Sequence, residues 1–359
     1  MKINFKRNIQ DERLLWIATI LLFAFAISYL APVAQNFGKS RQSFPASVCA
    51  PKTGDGTAMA YLPKNDLKVR SIPSKKNKFV TSHQALQTMG SSPLLIDGNP
   101  GTSFVVNNVN GGLAAETCLS GAADQWFVGG SGGLTSKATL HIVNSGMSSA
   151  AVDIFPFGKV VMPPISLKIP ANSDRLVFVD GLVPGEDAVA LHIATRSGRV
   201  TTFLADQRKK GLSSLGSDFV SSTTAPSTHL IIPTVLQSSS GKVDTTLRLL
   251  VPGTLDASVR VSVKSGDGEF TPVGFDDRSI KSGFVTDIAI PDLTSSTPMA
   301  FVIDSDQPIV AGVLTQMKGG DFAWAAASKP IDTLSMNFTT LSPKFVFAGK
   351  SISVSISWK

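Results

Sequence analysis

From Ala138 onward, apolar and polar side chains alternate with a period of two. Leu140 and Ile142 flank His141, Val152 and Ile154 flank Asp153, and Val259, Val261 and Val263 are separated by Arg260 and Ser262. A chain with this period buries one face and wets the other, so these segments are predicted to be strands of antiparallel sheets. Turn signals such as "NSG", "VPG", "GDG" and "DSDQP" punctuate them, at the intervals of roughly 8–12 residues expected of a two-sheet sandwich.

The pattern occurs twice. "ATLHIVNSGMSSAAVDIF" (138–155) lies over "TTLRLLVPGTLDASVRVS" (245–262) without a gap, matching Leu140 to Leu247, Gly146 to Gly253, Ala150 to Ala257 and Val152 to Val259. Residues 187–211 then echo 297–320 in the same order. Each copy has room for about six strands, which suits an immunoglobulin-like sandwich. The expected fold is mainly β, with tandem immunoglobulin-like sandwiches at 124–215 and 226–330 and further strands at 331–359. Residues 49–123 read as an irregular β segment, a few strands with long connections around turn pairs such as Asp97-Gly98 and Asn110-Gly111.

One stretch departs from the period of two. "LLWIATILLFAFAISYLAPVA" (14–34) carries no charge, and a helix of this length spans roughly 30 Å, the thickness of a bilayer's hydrocarbon. Lys2, Lys6, Arg7 and Arg13 precede it, which keeps residues 1–13 cytoplasmic and sends the chain beyond a linker at 35–48 outward. An uncleaved anchor suits the length of the run; a signal peptide has a shorter apolar region and a small-residue cleavage site.

Charge follows the same division. Residues 1–78 hold thirteen Lys/Arg against Asp11, Glu12, Asp55 and Asp66, while the remainder is slightly acidic. A basic folded face for nucleic acid is therefore not expected. The excess instead marks Lys75, Lys76 and Lys78 as surface-binding candidates for anionic lipid or an acidic wall polymer. In an extracytoplasmic chain, Cys49 and Cys118 are the two cysteines and read as one structural disulfide.

The remaining chemistry is sparse. Gly129, Ser131 and Gly133 satisfy G-x-S-x-G, yet the strand-like "LTSKATLHIV" follows where a nucleophile elbow needs a helix. No phosphate-binding glycine motif opens a helix. Trp126 and Trp324 are either core anchors or a platform for sugar rings. His141 and His192 could form half a metal site, but the expected reading is outward strand residues. Asp276 and Asp277, and Asp304 with Asp306, offer too few oxygens for calcium and read as turn residues. No catalytic residue, metal or cofactor is assigned.

The anchor, Cys49 soon after it, "QWFVGG" following Cys118, and the paired repeat starts at Leu140 and Leu247 resemble a family of uncharacterised actinobacterial envelope proteins. The resemblance implies a single-pass, outward-facing, β-rich protein, of a kind often encoded beside cell-envelope glycosyltransferase machinery; no catalytic residues are established for that family, so none are carried over. The expected function is a non-catalytic, membrane-anchored binding or scaffold protein of the envelope, with a glycosyltransferase or wall glycan as partner. The alternative is an envelope hydrolase or transferase with an unrecognised site.

Overall fold

The computed structural model describes residues 46–331 apart from 55, 99–100, 110–111, 212, 235–243, 267, 292–298 and 318–320, and then 336–338, 341 and 348. The expected anchor at 14–34 and most of the expected C-terminal strands lie outside the described residues. Among those described, no helix is long and apolar enough to cross a membrane. The fold is mainly β.

Residues 46–119 were expected to hold a few strands. They carry eight: β1 (Ala46–Cys49), β2 (Thr57–Tyr61), β3 (Leu67–Ser71), β4 (Val80–Ser82), β5 (Leu86–Met89), β6 (Leu94–Asp97), β7 (Phe104–Val109) and β8 (Gly112–Thr117). They form two antiparallel sheets, I in the order β5-β2-β7-β8 and II in the order β4-β3-β6-β1. Ala58, Ala60, Met89 and Val105 of sheet I share a core with Cys49, Val69, Leu94 and Ile96 of sheet II.

The second unit runs through β9 (Asp124–Val128), β10 (Thr139–Asn144), β11 (Ala150–Phe157), β12 (Ile165–Ile169), β13 (Ser173–Phe178), β14 (Ala190–Ser197), β15 (Val200–Lys210) and β16 (Ser213–Val220). Sheet III is β13-β10-β15-β16 and sheet IV is β12-β11-β14-β9. Numbered within the unit, this is the strand order of the first unit repeated: fifth-second-seventh-eighth facing fourth-third-sixth-first.

The third unit has β17 (Ser227–Thr234), β18 (Asp244–Leu250), β19 (Ala257–Ser265), β20 (Gly268–Phe270), β21 (Arg278–Ile280), β22 (Val285–Ile290), β23 (Met299–Gln316) and β24 (Phe322–Ala326). The same order recurs, with β20 and β21 sharing the fourth place on β19. The long β23 supplies both the sixth and seventh strands: its first half pairs with β17 and β19 in sheet VI, its second with β18 and β24 in sheet V. "DSDQP", expected to be a hairpin turn, therefore lies inside a continuous strand where the chain passes from one sheet to the other. The aligned repeat positions occupy equivalent places, Leu140 opposite Leu204 and Leu247 opposite Val313.

After each eighth strand the chain bridges back to the first. Leu119 pairs with Val48, Thr223 with Trp126, and the Ser328 N–H donates to the Ile231 carbonyl. In the first unit Cys118, beside this bridge, forms the disulfide with Cys49.

The six sheets pack face against face, an arrangement resembling the blades of a propeller. Val48 and Leu95 on the outer face of sheet II meet Val143, Phe203, Ala205 and Phe219 on the outer face of sheet III. In the same way Trp126, Val128 and Ala190 of sheet IV meet Leu250, Val285 and Val310 around sheet V. Sheets II to V are thus covered on both faces. This is why β10 and β18 depart from strict alternation: Val143 follows the core residue Ile142, and Leu250 follows Leu249, each pair with both members buried.

Candidate functional site

The glycine loop Gly129–Gly133 follows β9 and is buried throughout. Ser131 is 6% exposed, and its Oγ accepts a hydrogen bond from the Gly133 N–H at 2.9 Å. It closes a local turn and does not stand out at a strand–helix elbow. The glycines are required by proximity. A Cβ on Gly132 would lie 2.1 Å from the Val183 carbonyl oxygen, and one on Gly129 would lie 2.7 Å from Val220 Cγ1 and 3.0 Å from the Trp324 ring.

The third unit closes over this loop. Arg248 on β18, only 3% exposed, donates through Nη1 to the Gly130 carbonyl (2.6 Å) and the Val189 carbonyl (3.3 Å). Its Nη2 donates to the Asp187 carbonyl at 3.0 Å, and Nε and Nη2 together hold Asp287 on β22 at 2.7 and 2.9 Å. A buried guanidinium so engaged fixes how the two units meet, since losing Asp287 would leave its charge unpaired and losing a carbonyl would leave a buried N–H unsatisfied. An arginine inside "TTLRLLV" was legible only as a wet-face residue, because the sequence gives no sign that this face is covered.

Trp324 on β24 inserts beside Arg248. Its Nε1–H donates to Asp206 at 3.1 Å and its backbone N–H to Asp218 at 2.7 Å. Asp206 also accepts from Ser136 Oγ (2.8 Å) and Arg208 Nε (3.0 Å), and the Arg208 and Arg248 guanidinium groups stand 5.6 and 5.1 Å from the indole ring. Trp126 is 9% exposed and stacks on His192 at 4.0 Å. Both tryptophans therefore pack between units, which leaves neither face open as a sugar platform.

Around the eighth strands three carboxyl groups gather. Burial pushes Asp218 well above the usual carboxylate range; the Trp324 and Phe219 N–H groups oppose this, and the charges of Glu116 and Asp321 add to it. Burial raises Glu116 as well, against hydrogen bonds from Ser221 Oγ (2.8 Å), Thr117 N (2.8 Å) and Thr117 Oγ1 (3.1 Å). Asp321 is also raised by burial. Glu116 lines an open, largely apolar cavity of about 550 Å³ with Phe104, Leu113, Ser221, Met336 and Phe338. No signal in the sequence brought these three acids together.

Each of the four histidines meets an aspartate: His83 with Asp66 (2.7 Å), His141 with Asp174 (2.9 Å), His192 with Asp124 (2.9 Å) and His229 with Asp304 (2.6 Å). His141 and His192 lie on different sheets and do not converge. Asp277 accepts from Ser258 Oγ at 2.5 Å and Asp306 from the Ser258 N–H at 2.8 Å, so these two of the acids considered for calcium meet at one serine, while Asp304 is engaged by His229. Among the described residues no group of three or more His, Cys, Asp or Glu side chains is placed to hold a metal ion. Lys75, Lys76 and Lys78 are exposed on the loop between β3 and β4.

Residues 102–345, about two thirds of the chain, match a family of unknown function, DUF5719. The chain belongs to that family. The match begins just before β7 and takes in the second and third units. Comparison with curated proteins finds no match.

Proposed function

We propose that this chain is a non-catalytic binding or scaffold protein of a bacterial cell envelope, held by a single-pass anchor at Leu14–Ala34 with residues beyond the linker extracytoplasmic. Each unit is read as a two-sheet sandwich related to the immunoglobulin type. The second strand lies beside the fifth and the third beside the sixth, as in that fold, but the first and seventh strands have exchanged sheets. Its partners are an envelope glycosyltransferase or a wall glycan.

One observation carries the reading: the side chains with chemical potential are committed to joining units. Ser131 closes a turn, and Arg248, Trp324 and Asp206 clamp the second unit to the third. A rigid stack of sheets offers surface to a partner. In-cell crosslinking of an epitope-tagged chain, read by mass spectrometry, should recover one envelope protein or polymer repeatedly. Recovery of nothing above background would count against it.

A specific observation favours the enzyme alternative. Glu116 is a buried acid with a raised pKa on the wall of a cavity, the setting in which a general acid is found. Glu116→Gln keeps the hydroxyl and amide contacts nearly isosteric. If it abolished the chain's cellular function while leaving the melting temperature unchanged, the hydrolase or transferase reading would replace the scaffold.

A further inference from the structure

The β3–β4 hairpin is the edge of sheet II, and its sequence "LKVRSIPSKKNKFV" (67–80) has five cations and no acid. Lys68, Lys75, Lys76 and Lys78 are exposed. Directly after Lys78, Phe79 is 39% and Val80 63% exposed. Asp66, at the hairpin's base, contacts His83, and Asp174 of β13 is largely buried against His141.

The tip is held in place. Arg70 donates to Asn77 Oδ1 (3.1 Å), to Asn172 Oδ1 and to the Ser145 carbonyl (3.4 Å), and Asn172 Nδ2 donates to the Ser74 carbonyl at 2.9 Å. The second unit thus clamps the loop from below, with the Arg70 guanidinium 5.5 Å from the Phe79 ring centre. The loop that carries the lysines and the two apolar side chains is thus fixed at Ser74 and Asn77, so less loop ordering is lost on binding.

We propose that this hairpin tip docks onto a bilayer containing anionic phospholipid. Lysine clusters are drawn to the negative surface of such a membrane, and exposed apolar side chains beside them enter the headgroup–acyl boundary. An acidic polysaccharide would answer the lysines but give Phe79 and Val80 nothing to enter. The inference names a partner for the envelope protein proposed above and rests on its lying outside the cytoplasm at a membrane.

The test uses residues 46–359, which form one compact unit and hold every described core, sedimented with phosphatidylcholine vesicles with and without phosphatidylglycerol. Binding is expected only with phosphatidylglycerol and should weaken with salt. The triple change Lys75→Glu, Lys76→Glu, Lys78→Glu should lower partitioning at least about tenfold. Val80→Asp should lower it several-fold, with thermal melts of both variants matching the parent. Equal binding to both vesicles, no binding to either, an unaffected triple variant, or lysine-dependent binding to a soluble acidic polymer alone would each overturn the proposal. If vesicle binding fails while crosslinking still recovers a partner, only this inference falls; if vesicles bind but no partner is recovered, only the scaffold reading falls.

Discussion

Asp218 is a carboxyl group whose surroundings disfavour its charge. It is 8% exposed, it lies near two other acids, and its two backbone N–H donors only partly offset the loss of water. Its pKa in the folded chain therefore lies above that in the unfolded chain, so the folded form keeps a proton that the unfolded form has released. The stability this gives is complete below the unfolded pKa and is lost as pH rises through the folded one. Glu116 and Asp321 shift in the same direction. Asp153, held low mainly by the Ser166 hydroxyl, stabilises above the ordinary carboxylate range and loses that contribution only as pH falls through the acid end. The protein should accordingly melt highest in mild acid and lose stability from the ordinary carboxylate range upward. Asp218→Asn keeps an acceptor for the Trp324 N–H, so it should flatten that slope. Melting curves between acidic and mildly alkaline pH should show the variant a few degrees above the parent at the alkaline end. A parent whose melting temperature is highest at the alkaline end would contradict the assignment.

At the scale of the strand, the repeat was legible and the junction was not. Leu140 and Leu247 stand in cores whose facing strands also carry alternating aliphatics, so the second and third units announce themselves. The first unit has strands as short as Val80–Ser82, and its β5, "LQTM", shows no alternation, so the sequence shows turns there but little of the sheets. Its likeness to the other units lies in strand order, which pairing reveals and periodicity does not. Trp324 could be read as either core or platform from sequence, because what decides is Gly129 and Asp206 of another unit. Trp324→Ala should cost about 3–5 kcal/mol, the usual range for deleting a packed aromatic. It also removes the Nε1 donor to Asp206. Denaturant unfolding monitored by far-ultraviolet circular dichroism measures this; a loss of glycan binding with stability intact would instead restore the platform. The Cys49–Cys118 pair, 69 residues apart, works at the same scale by joining the first strand to the residue after the eighth. Cys118→Ser should cost about 2–5 kcal/mol, and adding reductant to the parent should reproduce its lower melting temperature.

Among the described residues, the faces of sheets I and VI turned away from their partner sheets differ in character. Sheet VI presents polar side chains, with Ser258 and Arg260 exposed, as a terminal layer in water requires. The outer face of sheet I carries Tyr61 stacked on Phe104 at 4.8 Å and a half-exposed Leu113, apolar enough to invite association. Part of it is covered by residues 336–338, which follow the third unit: Phe338 packs on Phe104 at 5.6 Å, and Asn337 Nδ2 donates to the Leu62 carbonyl at 3.1 Å. Residues 336–338 thus pack on the first unit at the face that in the other two units meets a preceding sheet. Phe338→Ser should destabilise by about 1–2 kcal/mol, as expected for a partly buried aromatic. Its more telling effect should be on association, because an uncovered sheet face can receive the outer face of a second copy in head-to-tail fashion. Sedimentation velocity over a range of concentrations should show larger species for the variant than for the parent, with stronger fluorescence of a hydrophobic dye. Unchanged sedimentation and dye binding would mean that residues 336–338 do not shield this face in solution.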